Sequence, residues 1–138
     1  ESDFTSLPDY NRLIASVSGT MRLAHGANGS EKLVLPRSTV YAFDGGIQTH
    51  CVGKARDLNL MLRKGAAEGE LVFVDSGTEL DLEPDANETM LLFELESGNA
   101  ALCAGGNARL RCTANGQCAL FTVRLVGEAI PDSDNRNG

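Results

Sequence analysis

The chain has 138 residues, enough for one domain or for two small β units, and 42% of them are hydrophobic, which suffices for a buried core. Its formal net charge is −7, and its Lys and Arg residues are scattered. Nucleic-acid binding depends on a basic surface that releases counterions, so this charge argues against a nucleic-acid partner. No apolar run approaches the roughly 20 residues that span a bilayer, so no membrane partner is expected.

Short apolar runs, separated by turn residues, recur at intervals of roughly ten residues. The first run alternates from Leu13 to Val17 and is broken by Gly19, and Pro36 ends the third. Residues 79–85 would also allow one turn of helix, which Pro84 limits. The runs that predict strands lie at 13–17, 21–23, 33–35, 40–43, 47–52, 58–62, 70–74, 78–82 and 89–96, with further strands after Gly98.

These short strands, fifteen glycines and the lack of a helical period predict an all-β barrel or sandwich with few or no helices. A set of strands punctuated by glycines is followed by a similar set, which suits two related β units. The expected boundaries are 1–70 for the first unit, which would be incomplete at its N-terminus, and 71–126 for the second. The polar segment 127–138 is expected to be a disordered tail.

The segment from Arg56 to Gly65 carries the clearest strand pattern. As a strand it places Leu58, Leu60 and Leu62 on one face. The other face is polar and capable of hydrogen bonding, so it is either a pocket wall or an ordinary exposed surface, and the pocket wall is favoured. The residues of this second face are Asp57, Asn59, Met61 and Arg63.

The four cysteines are expected to be reduced, buried thiols of a cytoplasmic protein. They contain no Cys-x-x-Cys, and the only His beside a cysteine is His50, which precedes Cys51, so a zinc site is disfavoured. The dipeptide 115–116 is Asn-Gly, a strong hairpin signal that would pair Cys112 with Ala119. That register places Cys112 and Cys118 on opposite faces of the ribbon, which argues against a bridge between them. The remaining cysteines are Cys51 and Cys103.

Motifs for catalysis are absent from the sequence. The only two histidines, His25 and His50, form no His-x-His pair and have no Glu at ligand spacing, so neither a metal nor another cofactor is expected. No Gly-x-Ser-x-Gly elbow is present. The alternating carboxylates of Glu79, Asp81 and Glu83 are typical of a solvated strand face.

Three segments together resemble the HutD/Ves family of histidine-utilisation proteins. The first joins Pro8–Leu13 to Ser18–Leu23, with Asn11 where the family usually has aspartate. The second is Tyr41–Gly46, and the third, the most specific, is Arg56–Gly65. The similarity runs from about residue 8 to 126. It is strong in the first half, whereas the second half is similar only in its pattern of strands. A further segment normally precedes this point in the family, and the chain is expected to lack it.

The resemblance implies a cupin-type double barrel, that is, a bicupin of RmlC-like jelly-roll units, and a metal-free protein that modulates histidine utilisation. It also implies a possible homodimer. Arg12 is expected to face a pocket and to bind a small carboxylate of the formate, urocanate or formylglutamate type, because a guanidinium captures a carboxylate with two parallel hydrogen bonds. The expected neighbouring ligand-binding residues are Asn59, Asp57, Met61 and Phe43, with Arg63 as the alternative cation.

Three alternatives remain open. Arg12 would be merely structural if it pairs with Asp57 or Asp9. The protein would be an enzyme, a cupin isomerase or hydrolase, if Asp57 acts as a general acid or base on a pathway intermediate. The polar face of the strand at Arg56–Gly65 would instead form a dimer interface if the protein is an interaction module.

Overall fold

A computed structural model describes residues 2–106 and 108–126. These residues form thirteen strands and no helix. The chain divides into two compact units, unit 1 at Glu1–Lys64 and unit 2 at Gly65–Gly138. The division therefore falls after residue 64, whereas the sequence placed it after residue 70, and the predicted tail at 127–138 lies outside the described residues.

Unit 1 consists of two antiparallel sheets, in the strand orders β1-β6-β3-β4 and β5-β2-β7. They face each other through a buried apolar cluster to which both sheets contribute, including Ile14 and Phe43 from one and Met21, Leu23 and Leu35 from the other. The strands are β1 (Ser2–Asp3), β2 (Tyr10–Ser18), β3 (Met21–His25), β4 (Glu31–Leu35), β5 (Val40–Asp44), β6 (Thr49–Val52) and β7 (Arg56–Arg63).

The register of β2 decides which side chains enter the space between these sheets. Arg12 lies opposite Phe43 on β5 and opposite Met61 on β7. Residues paired across a ladder share a face, and so do residues two apart on a strand. Arg12 therefore lies on the same face as Ile14, toward the apolar cluster. The alternation predicted for β7 is confirmed, because Leu60 pairs with Leu13 on the opposite face.

Unit 2 contains a four-stranded sheet in the order β11-β10-β13-β8 and a two-stranded sheet, β12-β9. A second buried cluster, which includes Leu82 from one sheet and Leu92 from the other, packs between them. The strands are β8 (Ala67–Val74), β9 (Glu79–Leu82), β10 (Glu88–Glu94), β11 (Ala100–Ala104), β12 (Leu110–Thr113) and β13 (Cys118–Leu125).

The hairpin predicted at Asn115-Gly116 is wrong. Cys112 pairs with Leu80 on β9, while Ala119 pairs with Phe93 on β10 and Phe73 on β8. Both edges of β13 are therefore occupied by other strands, and these long ladders outweigh the local preference of two turn residues. The segment that was compatible with a helical turn forms strand β9 instead.

All four cysteines are free thiols, as the sequence predicted. Cys103 and Cys118 are buried, but Cys51 and Cys112 are only partly so. Within residues 2–106 and 108–126, no helix is long and apolar enough to cross a membrane.

Candidate functional site

A buried arginine occupies the space between the two sheets of unit 1. Arg12 is 5% exposed, and its guanidinium lies 4.7 Å from the ring centre of Phe4 and 5.5 Å from that of Phe43. The two ring centres are 6.5 Å apart. The guanidinium therefore lies across the stacked pair and is not sandwiched between the rings. Contacts of this kind stabilise a cation through the negative face of the ring.

Two hydrogen bonds hold the guanidinium, and both are long. Nε donates to Asn59 Oδ1 at 3.4 Å, and Nη1 donates to the backbone oxygen of Thr5 at 3.5 Å. Nη2 forms no hydrogen bond with a described residue. Every fully buried side-chain nitrogen of the described residues does form a hydrogen bond, so Nη2 is not fully buried. Nη2 must therefore reach accessible space. Because an arginine carries five N–H donors, most of this side chain's donor capacity remains open.

No described carboxylate forms an ion pair with Arg12. The ion pairs within 4.0 Å between described residues join other groups. Burial lowers the pKa of Arg12, and the more distant charge of Asp57 acts in the opposite direction. Partial burial likewise raises the pKa of Asp57 against the influence of Arg12. The structure thus shows a desolvated cation that forms no ion pair with a described carboxylate and interacts with Asp57 only through its charge.

A glycine turn after β5 packs against the arginine stem. A Cβ on Gly45 would lie 2.7 Å from the backbone oxygens of Leu7 and Tyr10 and 3.3 Å from Cδ of Arg12. Gly45 N donates to Tyr10 O, and Leu7 N donates to Gly45 O. A side chain here would displace either the turn or the arginine, which explains the glycine after Asp44 and fixes the segment that carries Thr5.

The aromatic wall beside Arg12 continues to a buried histidine. The ring of Phe43 lies 5.4 Å from Tyr41 and 5.2 Å from His25. His25 is 3% exposed, and its two ring nitrogens contact Thr49 Oγ1 at 2.9 Å and the Tyr41 hydroxyl at 2.7 Å. Both nitrogens are therefore satisfied within the unit.

The direction of this hydrogen-bond chain follows from Thr49. Its hydroxyl donates to Ile47 O at 3.0 Å, so the same oxygen must accept from the imidazole. A neutral ring therefore carries its proton on Nδ1 and accepts from Tyr41 at Nε2. Burial, followed by the charge of Glu31, raises the pKa of Tyr41 and keeps its hydroxyl a donor. These hydrogen bonds fix the orientation of the His25 ring, which contacts Phe43.

The structure brings together three of the residues that the sequence predicted for the site, Arg12, Asn59 and Phe43. Met61 lies opposite Arg12 in the ladder but is 46% exposed. Asp57 is exposed on the same face and interacts with Arg12 only through its charge.

The sixth predicted residue, Arg63, is exposed and lies opposite Tyr10, at the start of β2. Sequence reasoning missed Phe4 and Thr5, which lie in what was interpreted as an entry loop. It also missed the chain through His25, whose partner Thr49 is 24 residues away in sequence. The Arg-Phe contact had a usable signal, since Arg12 and Phe43 both lie in segments that carry the family resemblance.

Two small units, each of paired antiparallel sheets, and a buried arginine between the sheets of unit 1 define a cupin-like β protein with a candidate ligand site. The chain belongs to the HutD family, whose model matches residues 1–125. The resemblance seen in the sequence and the all-β, cupin-like fold expected from it are both confirmed.

Two of the solved structures that are similar to the chain come from Pseudomonas. HutD from Pseudomonas fluorescens SBW25, in a structure described as a formate condition, is 24% identical with a TM-score of 0.71, and the match covers 91% of this chain and 74% of that one. The conserved protein of unknown function PA5104 from Pseudomonas aeruginosa PAO1 is 28% identical with a TM-score of 0.68, and the coverage is 89% and 75%. No curated protein matches the sequence.

Proposed function

We propose that unit 1 binds a small carboxylate anion at Arg12 without a metal, and that the protein modulates histidine utilisation through this binding. One observation carries the proposal: Arg12 is buried, yet no described carboxylate forms an ion pair with it. A buried charge without an ionic partner is costly, so an anion that pairs with it gains binding energy. The regulatory role rests on membership of the HutD family alone.

The geometry of the donors supports a carboxylate in particular. A carboxylate accepts two parallel N–H groups from one edge of a guanidinium, and Nη2 of Arg12 donates to no described residue. Because Nε of Arg12 donates to Asn59, the amide presents its oxygen to the arginine. Its NH₂ group can then donate to the second carboxylate oxygen. Asn59 therefore serves both to orient the cation and to contact the ligand.

The surroundings favour a small anion or a flat one. Phe4 and Phe43 cover one side of the guanidinium, so a ligand approaches in the plane of its free edge. Formate fits this description, and the relative from P. fluorescens was described in a formate condition. Urocanate and N-formylglutamate carry the same head group on a larger body.

Isothermal titration calorimetry with these three anions, in a buffer free of other carboxylates, tests the proposal. Arg12→Gln removes the charge, and we expect it to weaken binding by about 2–5 kcal/mol, the range for a buried charged contact. Arg22→Gln is the matched control because Arg22 is exposed on β3 of the same unit. Arg12→Lys keeps the charge but loses the fork, so its affinity should fall between those of wild type and Arg12→Gln.

Circular dichroism melts must first show that the Arg12 variants are folded. Equal affinity of wild type and Arg12→Gln for all three anions would remove Arg12 from the site and end the proposal.

A second candidate is proton-transfer catalysis on a bound carboxylate. It is favoured by Asp57, whose pKa is raised by burial and which shares a face with Arg12. A carboxyl group with a raised pKa is better matched to acid and base work near neutral pH. Turnover of the same three compounds by wild type, with loss in Asp57→Asn but retained binding, would support this candidate. Unchanged compounds after prolonged incubation would contradict it.

A further inference from the structure

A cavity lies between the two sheets of unit 2. Its volume is about 280 Å³, and all of its lining residues belong to this unit. Leu92 on β10, Leu110 on β12 and the two alanines that begin β11, Ala100 and Ala101, give it an apolar wall. A volume of this order is at the lower end of the range for small-molecule sites.

One carboxylate in the lining is not neutralised. Glu94 ends β10, is half-buried, and accepts a hydrogen bond from the Ser97 hydroxyl, but it forms no ion pair with a described residue. By contrast, Glu88 on the same strand, whose side chain is 14% exposed, is paired with Arg124 at 3.1 Å. Among the described residues, no Lys, Arg or His lines the cavity.

Neighbouring groups hold this carboxylate in place without neutralising it. A Cβ on Gly116 would lie 2.9 Å from Oε2 of Glu94, so the carboxylate occupies the space that a side chain at residue 116 would need. Glu94 also lies opposite Cys118 across the ladder. Burial, followed by the charge of Glu94, raises the pKa of this thiol and keeps it neutral. The cavity therefore combines an apolar wall with a single fixed negative charge.

We propose that this cavity is a second ligand site, which takes a small organic cation: an ammonium head group at Glu94 and an apolar body against Leu92 and Leu110. This site would prefer a cation, whereas the Arg12 site would prefer an anion, and its lining residues belong to unit 2 and not to unit 1. This proposal therefore stands or falls independently of the first.

A titration followed by amide NMR shifts tests it with three probes of similar shape: benzylammonium, benzyl alcohol and benzoate. Glu94→Gln keeps the shape and the acceptor for Ser97 but removes the charge. Glu96→Gln is the matched control, since Glu96 is exposed and outside the lining, and the change in net charge is the same. Gly116→Ala retains the charge and displaces the carboxylate, and Gly116 has no positive φ that would strain an alanine.

We expect benzylammonium to shift amides in residues 99–101 and 112–118 and to bind roughly tenfold or more tightly than benzyl alcohol, with benzoate the weakest of the three. Glu94→Gln should remove that advantage and Gly116→Ala should reduce it, while Glu96→Gln leaves it unchanged. Equal affinity for benzylammonium and benzyl alcohol would overturn the proposal. So would equal losses in Glu94→Gln and Glu96→Gln, or shifts confined to other residues.

Discussion

The hydrogen-bond chain through His25 makes a quantitative prediction about Thr49. Thr49→Val preserves the shape of the side chain but removes the hydroxyl that accepts from the imidazole and donates to Ile47 O. Thr49 is 1% exposed and His25 is 3% exposed, so water cannot easily replace the lost acceptor. We therefore expect the folded state to lose stability.

The magnitude follows from the number of groups left without partners. A buried donor without an acceptor costs about 1–3 kcal/mol. The Ile47 carbonyl adds less, because Ile47 is itself exposed and its oxygen is more easily hydrated. The expected loss in the free energy of unfolding is thus about 1–3 kcal/mol. Thr49→Ser keeps the hydroxyl and removes only a methyl group, at a cost of about 1 kcal/mol.

Urea unfolding of wild type and the two variants measures these differences, and long-range ¹H–¹⁵N spectra of the imidazole reveal which nitrogen carries the proton. Wild type should carry it on Nδ1 whenever the ring is neutral. In Thr49→Val we expect the population with the proton on Nε2 to increase, because the Tyr41 oxygen can still accept. A wild-type ring protonated on Nε2, or a Thr49→Val protein as stable as wild type, would refute the inferred direction of the chain.

Two further predictions concern Asp57 and the glycines of unit 2. Partial burial raises the pKa of folded Asp57, so its ionisation costs stability above that pKa, and the cost disappears below the unfolded value near 3.9. Asp57→Asn should therefore be more stable than wild type at neutral pH, and urea unfolding should show the gap closing toward pH 3; a gap that widens on acidification would be inconsistent with this sign. In Gly105→Ala, the new Cβ would lie 1.8 Å from Asp85 O, so we expect a loss above about 2 kcal/mol. Gly77→Ala meets no atom within 4 Å but has a φ of +89°, so its cost should be only about 1 kcal/mol, and the reverse ranking in urea would show that steric contact does not decide the effect.

The parts of the site that could be predicted are those that depend on strand geometry. Alternation of side chains is fixed by the covalent backbone, so the leucine face of β7 and the opposite face with Asn59 were readable from the sequence. The same alternation left the side of Arg12 undecided, and the family resemblance favoured the pocket. Arg12 is buried and faces the apolar cluster of unit 1, while its role in a ligand pocket stays a prediction.

The parts that could not be predicted depend on contacts between distant segments. Thr5 contributes a backbone oxygen, which every residue possesses, so no residue type marks the contact. The strand partners of β13 likewise depend on which of several strands is available, and the Asn-Gly signal at residues 115–116 concerns only neighbouring residues. Ligand preference, oligomeric state and cellular location remain predictions.

The position of the Arg12 charge and the shape of the surface that covers it depend on different segments of the chain. Hydrogen-bonded ladders fasten β2 on both edges, whereas Phe4 follows the two-residue strand β1, which has a single neighbour. Substitutions in the segment that precedes β2 can therefore change the surface that covers the guanidinium, which includes Phe4, while the charge of Arg12 keeps its position. For the proposed carboxylate site, this arrangement predicts that substitutions before β2 change which anion binds, whereas the preference for an anion depends on Arg12 alone.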